Sequence, residues 1–130
     1  MKPPLAKLIL GLVVSAVLRS ASPDIPALPP QAIDPTLKSG TWVVIEFGGQ
    51  NCVPCRKMQP VLAEVAKQLG SRGKVHNVWV TDHPQVARRF SIMLMPTQVL
   101  FDARGNEVLR HQGYWEQSAF LQALKEKGAL

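Results

Sequence analysis

Cysteine is scarce in this chain. Of its 130 residues only two are cysteines, Cys52 and Cys55, three positions apart. A disulfide framework of the kind that staples small secreted domains uses more cysteines at wider spacings. A structural zinc site is excluded as well, because there is no second cysteine pair and no His-x-x-x-His. The three histidines, His76, His83 and His111, are scattered and read as surface or hydrogen-bonded polar residues, not ligands. Aromatic residues make up 6% of the chain, and no basic stripe is interleaved with them, which argues against nucleic-acid binding. The formal charge is +6, but Lys2, Lys7 and Arg19 supply three of those charges near the start, leaving a mildly basic remainder. There is no internal repeat and no low-complexity block. The longest apolar stretch, Leu8 to Leu18, is short of the ~20 residues a membrane-spanning helix requires.

That stretch follows Lys2 and Lys7 and precedes the small residues Ser20, Ala21 and Ser22. Residues 1–22 are expected to be a signal peptide, or an N-terminal membrane anchor if the segment is not cleaved. From Pro23 to Pro35 there are five prolines in thirteen residues. Each removes a backbone N–H that a sheet could use, so residues 23–38 are expected to form a Pro-rich linker or an arm lying on the domain surface. The domain is expected over residues 39–130.

Thr41 to Phe47 is an apolar, β-branched run, the pattern of a strand buried on both faces. A glycine-containing break follows, and then a helix over Val53–Leu69. Its apolar positions Met58, Val61, Leu62, Val65 and Leu69 share one face. Asn51 is a suitable N-cap, Pro54 sits harmlessly in the first turn, and Pro60 is expected to kink the helix. Further strands are expected over Val75–Thr81, Gln98–Phe101 and Glu107–His111, with helices over Pro84–Phe90 and Glu116–Lys127. The order predicts an α/β fold: a central mixed β-sheet flanked by helices.

Cys52 opens a helix, where unpaired N–H groups and the helix dipole favour thiolate over thiol. Arg56 and Lys57 would add to that local field. Cys52 is therefore the candidate nucleophile and Cys55, one turn on, the resolving thiol. Glu46 interrupts the buried strand six residues earlier. A carboxyl there is costly unless it has a task, and the task assigned is acid/base catalysis for Cys55, through a water. Met95 and Pro96 precede a strand and mark a turn. Met93 is expected to fill the core, and Tyr114, Trp79, Trp115 and Phe101 to serve packing.

These pieces, VVIEFGGQNCVPCRKMQPVL, MPTQVLFDARGNEV and the closing helix, resemble thioredoxin over residues 41–127. The resemblance implies the thioredoxin fold, a redox-active Cys52–Cys55 disulfide with no added cofactor and no metal, and a cis Pro96 that faces the cysteines and, with Met95, helps bind the substrate. Glu in place of the family's buried Asp, and Val-Pro between the cysteines, are similar to the periplasmic or membrane-tethered reductases, including those of cytochrome c maturation. The expected function is an extracytoplasmic thiol–disulfide oxidoreductase, acting as a monomer on the disulfide of a dedicated protein partner. A membrane thiol transporter is the expected electron donor, and a tether to the inner membrane follows if the anchor is retained. Two alternatives stand: an oxidase or isomerase on the same fold, and a Cu(I) carrier using Cys52, Cys55 and Met95. The sequence departs from thioredoxin where Asn51 and Gly48 replace tryptophans, where Asn77 replaces a lysine, and where the usual first strand and helix look truncated.

Overall fold

The structure, a computed structural model, describes residues 1–2 and 25–130. The expected signal peptide or anchor falls, Met1 and Lys2 apart, outside the described residues. Among those described, no helix is long and apolar enough to cross a membrane.

The chain runs α1 (Pro30–Leu37), β1 (Trp42–Gly48), α2 (Val53–Leu69), a 3-10 turn at Gly70–Arg72, β2 (Gly73–Trp79), α3 (Pro84–Arg89), β3 (Thr97–Phe101), β4 (Glu107–Gln112) and α4 (Gln117–Glu126). The sheet order is β2-β1-β3-β4. β1 lies parallel to β2 and antiparallel to β3, and β3 is antiparallel to β4. This is the mixed sheet expected. A long crossover helix joins the parallel pair and a tight turn joins the antiparallel one.

β1 is central and covered on both faces, which explains why it is apolar without alternation except at Glu46. Val44 packs into a core with Met58, Leu62 and Val65 of α2 and Phe120 and Leu124 of α4. Val43, Ile45 and Phe47 pack on the other face with Ile33 and Leu37 of α1 and Val86 of α3. Side chains alternate along a strand, so Val44, Glu46 and Gly48 all look towards α2. The position of Glu46 beneath that helix follows from this alternation.

The expected linker over 23–38 is corrected from residue 25 onward. Ala27 bridges to Asn77, Leu28 N–H donates to the Asn77 carbonyl at 2.8 Å, and Asn77 N–H donates to the Pro26 carbonyl at 2.9 Å. Proline lacks a donor but keeps its acceptor, so a Pro-rich segment can still dock on a sheet edge. Pro30 then starts α1 at the position where a missing N–H costs nothing. Ile33 is 1% exposed, and an Asp34–Arg89 ion pair ties α1 to α3. Ile25, the isolated bridge at Ala27 and the short helix α1 thus belong to the packed domain, which extends N-terminal to the expected boundary at residue 39.

Candidate active site

Cys52 and Cys55 are joined in a disulfide with their Cα atoms 5.2 Å apart. Cys52, not Asn51, is the N-cap of α2, and its sulfur accepts the N–H of Cys55 at 3.3 Å. The sulfur itself therefore occupies the place where a helix start gathers unpaired donors and positive potential. In the reduced protein that donor stabilises a thiolate on Cys52 over a thiol. Cys52 is half-buried, whereas Cys55 is 1% exposed. The asymmetry fits an attacking residue and a resolving one.

Cys55 rests on β1. A Cβ built on Gly48 would lie 2.8 Å from the Cys55 sulfur, so Gly48 lets the sulfur descend onto the strand. Two residues back on the same face stands Glu46, with no exposed surface. Its carboxyl is pushed up to about 8, because burial penalises the charged form more than its two hydrogen bonds favour it. Those bonds come from carboxamides: Gln59 Nε2 donates to Oε2 at 3.0 Å, and Gln98 Nε2 donates to Oε1 at 3.1 Å. No cation pairs with Glu46 among the described residues. Asn77, at the position of the family's lysine, contributes a neutral amide instead.

The remaining predicted residues divide. Met95 and Cys52 line one cleft of about 560 Å³, together with Val80, Thr81, Ile92, Met93 and Leu94. The Met95–Pro96 bond is cis, as the resemblance implied, and Pro96 is buried, with its carbonyl accepting Gly113 N–H at 2.7 Å. Arg56 and Lys57 are exposed on α2. Lys57 lines a second groove beside Pro54, Pro60 and Tyr114.

Met93 is corrected from core to surface: it is 85% exposed and borders the Cys52 cleft. Among the described residues, Met93, Val53, Leu94 and Tyr114 are the exposed large apolar side chains beyond Met1. Spacing did not show this, because Met93 and Leu94 lie in an irregular loop with no period to read. Gln59 and Gln98 were also missed. Gln98 lies in a short, otherwise largely apolar strand, the kind of signal that singled out Glu46, whereas Gln59 sits among the polar residues of α2 with no such signal. Among the described residues no cluster of histidine, cysteine and carboxylate side chains could hold a metal ion.

The thioredoxin family model matches residues 28–126. The chain is similar to the thioredoxin of Rickettsia bellii, 34% identical over 65 residues, which are 50% of this chain and 62% of that protein. It is 32% identical over 90 residues to the thioredoxin of Mycobacterium bovis, covering 69% of this chain and 77% of that one. The match thus spans less than two thirds of the Rickettsia protein. The fold is similar to that of oxidised mitochondrial thioredoxin 3 of Saccharomyces cerevisiae, with a TM-score of 0.69 and 24% identity over 78% of this chain and 94% of that one. With the matched region spanning the strand, the Cys-x-x-Cys helix and the cis-proline turn, the chain belongs to the thioredoxin family.

Proposed function

We propose that the protein is a thiol–disulfide oxidoreductase that works outside the cytoplasm and reduces the disulfide of a dedicated protein partner. The observation that carries the chemistry is the pairing of a helix-capping Cys52 with a buried Cys55 above Glu46. Family membership supports the same reaction.

The reduced protein starts as a dithiol. The Cys52 thiolate attacks one sulfur of the substrate disulfide; that S–S bond breaks, and the departing thiolate takes up a proton. A mixed disulfide joins Cys52 to the substrate. Cys55 then gives its proton, through a water, to the ionised Glu46 carboxyl and attacks the Cys52 sulfur, and the second substrate thiolate leaves and takes up a proton, which Glu46 can return. The substrate leaves as a dithiol and Cys52–Cys55 is oxidised, so two electrons have passed to the substrate. Burial that raises the Glu46 carboxyl to about 8 makes its ionised form a stronger proton acceptor than an ordinary carboxylate. The redox group is part of the chain, and the reaction needs no added cofactor. A thiol donor must return two electrons, and we assign that role to a membrane thiol transporter.

The location rests on the signal-like residues 1–22, and a periplasmic site, with or without an inner-membrane tether, is the corresponding reading. The dedicated partner rests on the loss of tryptophans at Gly48 and Asn51, which leaves the surroundings of Cys52 more open and polar. Cytochrome c maturation is the assignment most similar in its Glu46 and Val-Pro features. Val-Pro, not Pro-His, between the cysteines favours a reductant over an oxidant. A reduction potential near about −270 mV is expected, and one near about −120 mV would assign the oxidase reading instead.

The experiment is trapping. Cys55→Ser should leave a stable mixed disulfide between Cys52 and its partner, to be released by reductant and identified by mass spectrometry. Failure to capture a protein while Cys52 stays reactive would overturn the dedicated-partner reading. Met95 shares the Cys52 cleft, the arrangement on which the Cu(I) alternative rests. Tight Cu(I) binding lost in Met95→Ala, with no disulfide reduction, would put a carrier in place of the reductase.

A further inference from the structure

The four strands carry a row of polar side chains that the reaction as described does not use. The strand register places Asn77 of β2 beside Glu46 of β1, Glu46 beside Gln98 of β3, and Gln98 beside His111 of β4. Gln59 of α2 lies over the row. Asn77 and Gln98 are each 1% exposed. A buried amide is expensive unless its donors and acceptors are met, and here they are met in only one orientation.

Gln59 and Asn77 face each other as a reciprocal amide pair. Gln59 Nε2 donates to Asn77 Oδ1 at 3.1 Å, and Asn77 Nδ2 donates to Gln59 Oε1 at 2.7 Å. Asn77 Nδ2 also donates to the Ile25 carbonyl at 3.1 Å, which fixes its own orientation. The Gln59 Nε2 group is thereby turned towards Glu46 Oε2, at 3.0 Å, and the Cys55 carbonyl, also at 3.0 Å. On the other side, Gln98 Nε2 donates to Glu46 Oε1 and to the Gly113 carbonyl, while Gln98 Oε1 lies 3.1 Å from His111 Nδ1. Reversing the Gln98 amide would set its oxygen against a carboxyl and a carbonyl, so the nitrogen faces Glu46 and His111 carries its proton on Nδ1. The His111 ring is stacked on Trp115, with centroids 4.3 Å apart.

We propose that Gln59 and Gln98 are positioning residues of the redox site, which hold the Glu46 carboxyl in one orientation beneath Cys55 and stabilise its ionised form, and that Asn77 and His111 hold the two glutamines in turn. This rests on the acid/base role given to Glu46 above. In place of a fixed cation, two neutral donors hold the negative charge on Glu46 until Cys55 surrenders its proton to it. The other titratable groups around Glu46 are the Cys55 thiol, from α2, and His111, from β4. β2 and β3 face it with the carboxamides Asn77 and Gln98. His76 lies one residue along β2, on the opposite face, and α4 presents Phe120 and Leu124 to this layer.

The test uses Gln59→Met and Gln98→Met, which remove a donor and keep the chain length. The Glu46 carboxyl is titrated in the oxidised full-length protein by NMR of isotope-labelled glutamate. Each variant should move the Glu46 midpoint upward by roughly one pH unit, a ~10-fold loss of ionised carboxyl at neutral pH. The rate at which Cys55 resolves a preformed mixed disulfide should fall in parallel at neutral pH and recover above the new midpoint. His111→Phe, which keeps an aromatic ring against Trp115, should shift the midpoint in the same direction by less. An unmoved midpoint in both glutamine variants overturns the proposal, even if thermal stability drops. If Gln98→Met does not fold, the half-buried Gln59 position decides alone. If Glu46→Gln resolves the mixed disulfide at the full rate, the acid/base role fails, while the titration still decides the clamp.

Discussion

Replacing Glu46 by glutamine should change how stability depends on pH more than it changes stability at any single pH. The folded protein keeps Glu46 protonated up to about pH 8, whereas the unfolded chain releases that proton near 4.5. Between these values folding takes up a proton, so stability falls as pH rises. At about 1.36 kcal/mol per pH unit, a rise from 4.5 to about 8 corresponds to roughly 4–5 kcal/mol. That is a large part of the ~5–15 kcal/mol that holds a typical domain together. Glu46→Gln cannot ionise and should lack this slope. It has its own cost, since one amide oxygen must face the two donors that two carboxyl oxygens now receive, and an unmet buried donor costs about 1–3 kcal/mol. The wild type should therefore be the more stable near pH 4.5 and the variant the more stable near pH 8. Urea unfolding of the oxidised proteins, followed by tryptophan fluorescence across that range, reads the difference directly. The intact disulfide keeps both cysteines from titrating, and groups common to both proteins cancel. Parallel pH dependences in the two proteins would refute the reasoning, because Glu46 would then ionise in the fold as easily as in the unfolded chain.

Two further outcomes concern the N-terminal packing. Ile33→Ala should destabilise the domain by about 2–5 kcal/mol in urea unfolding, as for a core aliphatic, whereas a change in a solvated linker would stay within about 0.5 kcal/mol. Gly105 sits at φ +81°, and a Cβ there would lie 2.9 Å from the Leu37 carbonyl at the end of α1. Gly105→Ala should therefore lose about 1–2 kcal/mol from its backbone conformation alone, with more from the contact, and thermal melting at the wild-type level would contradict that packing.

Most of the fold was legible because its elements obey simple periods. β1 is apolar without alternation since both its faces are covered, and α2 carries its core residues at helical spacing with Pro54 and Cys52 at its start. The reactive pair was legible for the same local reason: two cysteines one helical turn apart, at the start of a helix. The N-terminal segment was obscured because proline density reports missing donors and says nothing of carbonyl acceptors. Ile25, Pro26 and Leu28 bind Asn77 through carbonyls and a single N–H, and the two buried positions of α1, Ile33 and Leu37, are too few to establish a period.

The carboxamide clamp was hidden for a different reason. Gln59 and Gln98 lie 13 and 52 positions from Glu46, and nothing local links them. What links Gln98 to Glu46 is strand register, which sets Asn77, Glu46, Gln98 and His111 in one row, and what links Gln59 is the packing of α2 over that row. A one-residue slip of β3 would turn Gln98 to the other face and set Val99 beside Glu46. Asn77 carries the same lesson, since its exchange for the family's lysine looks locally like the loss of a partner for the buried acid. In the folded protein the exchange changes the kind of partner, from a charge to an aligned amide that acts through Gln59. With neutral amide donors in place of a cation, burial raises the Glu46 carboxyl to about 8, the property on which the proposed resolving step relies.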